Sequence, residues 1–196
     1  MTLPKRTKGM ESNMRILSII AVGLLVTLAG CVTNQKVGEK DWFTAWGMSH
    51  NARATTPAMS GRTVRMILMP SISGNSVRVK FENTMGEAPV IFSGAYIGVA
   101  GEGAAVQEKS ITRLTFAGKP GLSLAVGHGA YSDPVPFKVN AFEKLSLSLD
   151  VQSAADISTH HVGLRTNWSA AGARASDPSA AGFEPLPEIP ALNTGQ

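Results

Sequence analysis

Few residues in this chain of 196 could do chemistry, and their spacing excludes most of what they could do. There is one cysteine, Cys31. A single thiol can form no internal disulfide, and thiolate zinc or iron-sulfur sites need several at set spacings. Of the four histidines, His160 and His161 are adjacent, so on a strand they would point to opposite sides, while His50 and His128 lie far away in the chain. No metal site is therefore expected, and no cofactor. A serine nucleophile needs a strained turn and a base beside it; Gly-x-Ser-x-Gly does not occur, since Gly74-Asn75-Ser76 continues into Val-Arg and Gly121-Leu122-Ser123 into Leu-Ala. Asp133 in Ser-Asp-Pro reads as a turn residue whose carboxylate takes up backbone N–H groups, and Gly86 as a turn glycine at positive φ. Trp42 and Trp46 are spaced to stack on a sugar ring, or to plug the core from one face of a first strand; Trp168 is open to the same two readings. The methionines read as core filler.

Cys31 gains meaning from what precedes it. Lys5, Arg6, Lys8 and Arg15 form a basic region, and residues 16–28 are apolar but for Ser18 and Thr27. That run is shorter than the ~20 residues a permanent span needs, and it suits the core of a signal helix. Leu28-Ala29-Gly30-Cys31 resembles the bacterial lipobox, which implies cleavage before Cys31, acylation of its sulfur and attachment to a membrane. One acyl chain holds only reversibly, whereas two or more anchor stably. Met14 is an alternative start. Val32 follows the cysteine with no Asp to signal inner-membrane retention, so the outer membrane is favoured if the source is Gram-negative. An ordinary signal peptide and an uncut anchor are the alternatives.

Processing would change the electrostatics. Of 18 basic and 14 acidic residues it removes four and one, leaving 14 and 13 in a mature chain beginning at Cys31. A net charge near neutrality, without clustered Lys or Arg, gives no basis for binding nucleic acid.

Segments 1–30, 31–40, 41–168 and 169–196 then read as signal peptide, polar tether, folded domain and an Ala/Ser/Pro-rich tail or linker. Lys144 to Val151 alternates strictly, predicting a strand with one buried and one wet face. Val77 to Glu82 predicts another, with Val77, Val79 and Phe81 inward. Thr63 to Met69 is a third, joined to it by hairpin chemistry over Pro70 to Ser76. Further strands are expected at Val90 to Val99, Ile111 to Phe116, Leu122 to Val126, Pro136 to Val139 and His161 to Thr166. No amphipathic helix stands out. The pattern predicts an all-β fold, an antiparallel β-sandwich of jelly-roll or Greek-key type, with a barrel as the alternative.

The order of the pieces carries a resemblance. Asp41 to Ser49 (DWFTAWGMS), Thr63 to Ala100, Ile111 to Leu124, Tyr131 to Val135 (YSDPV) and Phe142 to Val151 resemble the N-terminal β-sandwich domain of bacterial SGNH/GDSL-type esterases. The resemblance runs from about Asp41 to Pro187. It implies a Pro-rich lead, here Glu184 to Pro190, into a hydrolase domain opening with Gly-Asp-Ser, a tripeptide that does not occur in the chain. None of that family's catalytic residues has a position here. The expectation is a lipid-anchored accessory or binding module without catalysis, with a glycan or a hydrolase as partner. The alternatives are an esterase whose catalytic half is lost or supplied by another chain, and a purely structural envelope lipoprotein.

Overall fold

The computed structural model describes residues 42–53, 59–154, 158–160 and 165–186. The signal segment, Cys31, the tether and residues 161–164 of the strand expected at His161 to Thr166 lie outside them. Arg165 and Thr166, the described end of that expected strand, are not in strand conformation. The chain forms two compact units, Met1–Phe43 and Thr44–Gln196, and every element below belongs to the second.

In chain order the strands are β1 (Ala52–Arg53), β2 (Arg62–Leu68), β3 (Gly74–Val77), β4 (Lys80–Glu82), β5 (Val90–Val99), β6 (Thr112–Arg113), β7 (Leu122–Leu124), β8 (Gly129–Tyr131), β9 (Val135–Val139), β10 (Leu145–Ser153), β11 (Ser158–Thr159), β12 (Trp168–Ala171) and β13 (Glu184–Pro185). A single 3-10 turn, Glu108–Ser110, is the only helical element among the described residues. The fold is all-β, and every strand pair is antiparallel.

The main sheet runs β13-β12-β2-β10-β5-β6, with β7 also on β5. Its centre is β10, the strand with the strictest alternation. Leu145, Leu147 and Leu149 lie opposite Leu68, Met66 and Val64 of β2 on one side, and Val99, Ile97 and Ala95 of β5 on the other. This apolar face packs with Phe81, Phe137 and Val139 from β4 and β9. Phe81 meets Phe92 and Phe116 with ring centroids 5.6 and 5.5 Å apart, in tilted and edge-on contacts that aromatic quadrupoles favour. The strands that carry these residues form two-stranded ribbons, β3 with β9 and β4 with β8.

Several expectations are corrected. Val77 to Glu82 is not one strand: the ladder breaks at Arg78 and Val79, where Ser132 stands in, its Oγ accepting the Val79 N–H while its own N–H donates to the Val79 carbonyl. Pro70 to Ser76 is no hairpin, because β2 pairs with β10 and β12 whereas β3 pairs with β9. The second face of β10 is not wet, since Ser146 and Ser148 are as buried as the leucines. The cover comes partly from residues 169–186, whose composition read as tail or linker. Ser169 to Ala171 continue β12 into the main sheet, and Ala170, Ala175 and Phe183 are buried. Alanine and serine are poor strand signals, but their small size lets covering chain lie close to the sheet. Gly98 shows the same tightness from the other side: a Cβ there would come within 2.5 Å of Val106 Cγ1.

Candidate functional site

Residues 42–51 form no strand, so the argument that placed Trp42 and Trp46 on one inward face fails. Trp42 is half-buried, and Trp46 leaves 41% of its surface in water, too much for a core plug. The segment is held by the Ala45 carbonyl, which accepts from both the N–H and the hydroxyl of Ser71 at 2.8 and 3.0 Å. Trp168 is half-buried and packs with Ala104, Ala170 and Phe183. Sequence spacing alone could not separate these fates, because they depend on which strand ends lie nearby.

The histidines are redistributed. His50 and His160, far apart in the chain, come within electrostatic reach of each other. The His160 Nδ1 lies 2.8 Å from the Ser49 carbonyl, close to the short β1–β11 ribbon. His50 Nδ1 is buried without a hydrogen-bond partner. Its pKa is pushed below the ordinary 6.5 by burial, with the Glu82 carboxylate opposing and His160 reinforcing the shift. Glu82 is itself engaged by Lys80, whose ammonium holds its carboxyl below the usual range. His128 sits apart, its Nδ1 2.8 Å from the Val126 carbonyl; His161 lies outside the described residues. Among the described residues no three His, Cys, Asp or Glu side chains converge as metal ligands.

Asp133 takes up backbone N–H groups as expected, though those of a loop some 15 residues upstream rather than of its own turn. Its carboxylate accepts from Thr115 Oγ1 (2.6 Å), Ala117 N (3.0 Å) and Gly118 N (2.8 Å). The Thr115 hydroxyl, then the Gly118 N–H, hold its pKa low. The loop needs this support, since Ala117 has φ 51°. Gly86 does not have positive φ; it is a glycine because a Cβ would fall 2.0 Å from Asn83 Oδ1, inside the buried amide.

The densest polar chemistry is one that sequence reasoning missed. On the second face of the main sheet the strand registers align Trp168, Arg65, Ser148 and Tyr96 in one row, and Ala170, Thr63, Asp150 and Gly94 in the next. Arg65 is fully buried, at 0% exposure. Its Nε donates to Ser148 Oγ (2.9 Å), Nη1 to the carbonyls of Ala104 and Ser179, and Nη2 to those of Asp177 (2.6 Å) and Arg174 (3.4 Å). A guanidinium has five N–H donors, and all five are used. Its carbon also lies 4.0 Å from the centre of the Phe183 ring, a cation–π distance. Burial lowers its pKa to about 10, with Asp177 opposing the shift, so it stays charged at neutral pH.

Beside it, Thr63 Oγ1 accepts the Arg174 N–H (2.7 Å) and lies within donating reach of Asp150 Oδ1 and the Gly172 carbonyl. Asp150 Oδ1 also accepts the Ala175 N–H (2.9 Å), and Asp177 pairs with the Arg174 guanidinium, which lowers the Asp177 pKa. With every donor of Arg65 committed to the protein, this layer offers no open anion site. Its chemistry is to clasp residues 172–183 onto the sheet. A usable signal was present: the outward row of β10 reads Ser146, Ser148, Asp150 rather than the Lys and Glu usual on a wet face. No family model matches the chain, and no curated protein matches it.

Proposed function

We propose that this chain is a lipid-anchored, non-catalytic β-sandwich module of the cell envelope, related to the accessory domain of SGNH/GDSL-type hydrolases, that contacts a glycan or a hydrolase partner. The observation that carries this reading is the employment of its acid and base groups. Asp133 organises the 115–118 loop, Asp150 and Asp177 hold the C-terminal segment, and Glu82 is paired with Lys80. The large apolar side chains turned to solvent include four rings, Phe43, Trp46, Tyr131 and Phe142. Exposed rings are suited to contact, and carboxylates engaged in this way are not free to transfer protons. The antiparallel all-β architecture supports the family reading, and the lipobox supports the anchor.

Three measurements test it. Purified mature protein should turn over p-nitrophenyl acetate at the buffer rate; serine-dependent turnover well above that rate would overturn the non-catalytic reading. Intact mass should show acylation at Cys31. In pull-downs on cell-wall polysaccharides Trp46→Ala should lose retention while its thermal midpoint stays unchanged, and equal retention would remove Trp46 from the contact surface.

A further inference from the structure

At the end of the main sheet where β2 finishes and β10 begins, three segments are laced together by backbone hydrogen bonds. Ser71 donates to the Ala45 carbonyl, Phe142 N–H to the Pro70 carbonyl (2.7 Å), and Ala141 N–H to Ser73 Oγ (2.9 Å). Each of these segments presents a large apolar side chain to solvent: Trp46 at 41% exposure, Ile72 at 44% and Phe142 at 68%. Phe142 is held there against its own preference. It occupies the third position of the Asn140–Glu143 turn with φ 65°, where a type II turn wants glycine and a bulky residue is an outlier. The ring points into solvent, so core packing does not account for it. Exposed Lys138 and Lys144 flank this loop in the chain.

We propose that this apolar end is a membrane-contacting surface, with Trp46, Ile72 and Phe142 seated in the lipid interface. The inference rests on the anchor reading above. Fourteen peptide units join Cys31 to Ala45, the residue bonded to Ser71, and a chain of that length reaches at most about 50 Å, so acylation keeps the domain within contact range of the bilayer and leaves the choice of end to the surface it presents. Tryptophan and phenylalanine favour the headgroup boundary, and the lysines suit anionic lipid. The contact adds apolar burial to the acyl anchor and sets the orientation of the domain. The opposite end of β10, near Gln152, then faces away from the bilayer, about 25 Å along a strand rising ~3.3 Å per residue.

The test uses the acylated protein in vesicles of phosphatidylethanolamine and phosphatidylglycerol, with an environment-sensitive dye on the thiol introduced by Ile72→Cys or, as the far-end control, Gln152→Cys. Acylation of Cys31 makes the introduced thiol unique. The dye at position 72 should shift to the blue and lose intensity with brominated lipid tails, while the dye at 152 should do neither. Adding Phe142→Gly, a substitution the turn geometry accepts, should reduce the quenching at 72 without lowering the thermal midpoint. Water-like emission at 72 in a protein shown to be acylated overturns the proposal and leaves the anchor standing. A blue shift without bromine quenching assigns the patch to a second copy of the chain and also overturns it. A protein recovered with a free Cys31 thiol removes anchor and proposal together.

Discussion

Arg65→Met should detach the C-terminal segment from the sheet. The substitution keeps most of the side-chain volume but removes five donors, leaving the Ala104, Arg174, Asp177 and Ser179 carbonyls and the Ser148 hydroxyl without this partner. Hydrogen bonds to a charged donor are worth ~1.5–3 kcal/mol each, so five at the lower end come to about 7–8 kcal/mol. Against this stands the cost of burying the charge. The fall from the ordinary guanidinium range to about 10, which is burial less the help of Asp177 and Asp150, corresponds to a net penalty of about 3 kcal/mol at ~1.4 kcal/mol per tenfold change. The net loss expected is about 4 kcal/mol, in the range found when one partner of a buried charged network is removed (~3–5 kcal/mol). Arg65→Lys keeps the charge but has three donors and loses the planar stack on Phe183, so it should fall between the two, at about 2 kcal/mol. Urea unfolding gives the totals. Amide hydrogen exchange gives the place: protection should drop at residues 172–183 before it drops in β5 or β10. If Arg65→Met lies within ~0.5 kcal/mol of the parent, or exchange in that segment is unchanged, the clasp is not what holds it.

Phe142→Gly should raise the thermal midpoint, because relief of ~1–2 kcal/mol of left-handed strain exceeds the ~0.4–1 kcal/mol of extra chain entropy glycine brings to the unfolded state; a lower midpoint in a scanning calorimeter would show that the ring packs after all. Gly98→Ala should destabilise by about 1–3 kcal/mol, since the new methyl meets Val106 Cγ1 and displaces the 101–106 loop; an unchanged urea midpoint would refute that close approach. For His50 the folded pKa lies below that of the unfolded chain, so below pH ~6.5 the unfolded state takes up the proton first and stability falls as pH drops towards the folded value. The loss of thermal midpoint between pH 7.5 and 5.5 should therefore be smaller in His50→Gln than in the parent, and equal losses would refute a buried neutral imidazole.

Strands whose apolar residues alternate were legible from the chain alone. β10 falls where period two placed it, and β2, β5 and β9 fall where apolar segments between turn residues placed strands, because both are local properties that survive any choice of partner. β12 was not legible. Trp-Ser-Ala-Ala has no β-branched residue, and it becomes a strand because β2 offers it an edge more than 100 residues away in the chain. The break at Arg78 and Val79 was hidden for a related reason: it is imposed by Ser132 across the ribbon, and nothing within Val77 to Glu82 announces it.

The amino-acid order by itself determined the all-β class, the strand character of the Leu-Ser-Leu-Ser-Leu segment and the helper role of Asp133, since each follows from side-chain period or from the short reach of a carboxylate. Tertiary structure alone decided that the serine face of that strand is dry, that Arg65 is buried with every donor used, and that Trp46 stands in solvent beside Ile72 and Phe142. The physical reason is that burial is a property of a surface and its cover. Here the cover over the serine face comes from residues 101–106 and 172–183, which only sheet pairing and the Arg65 bonds bring into place.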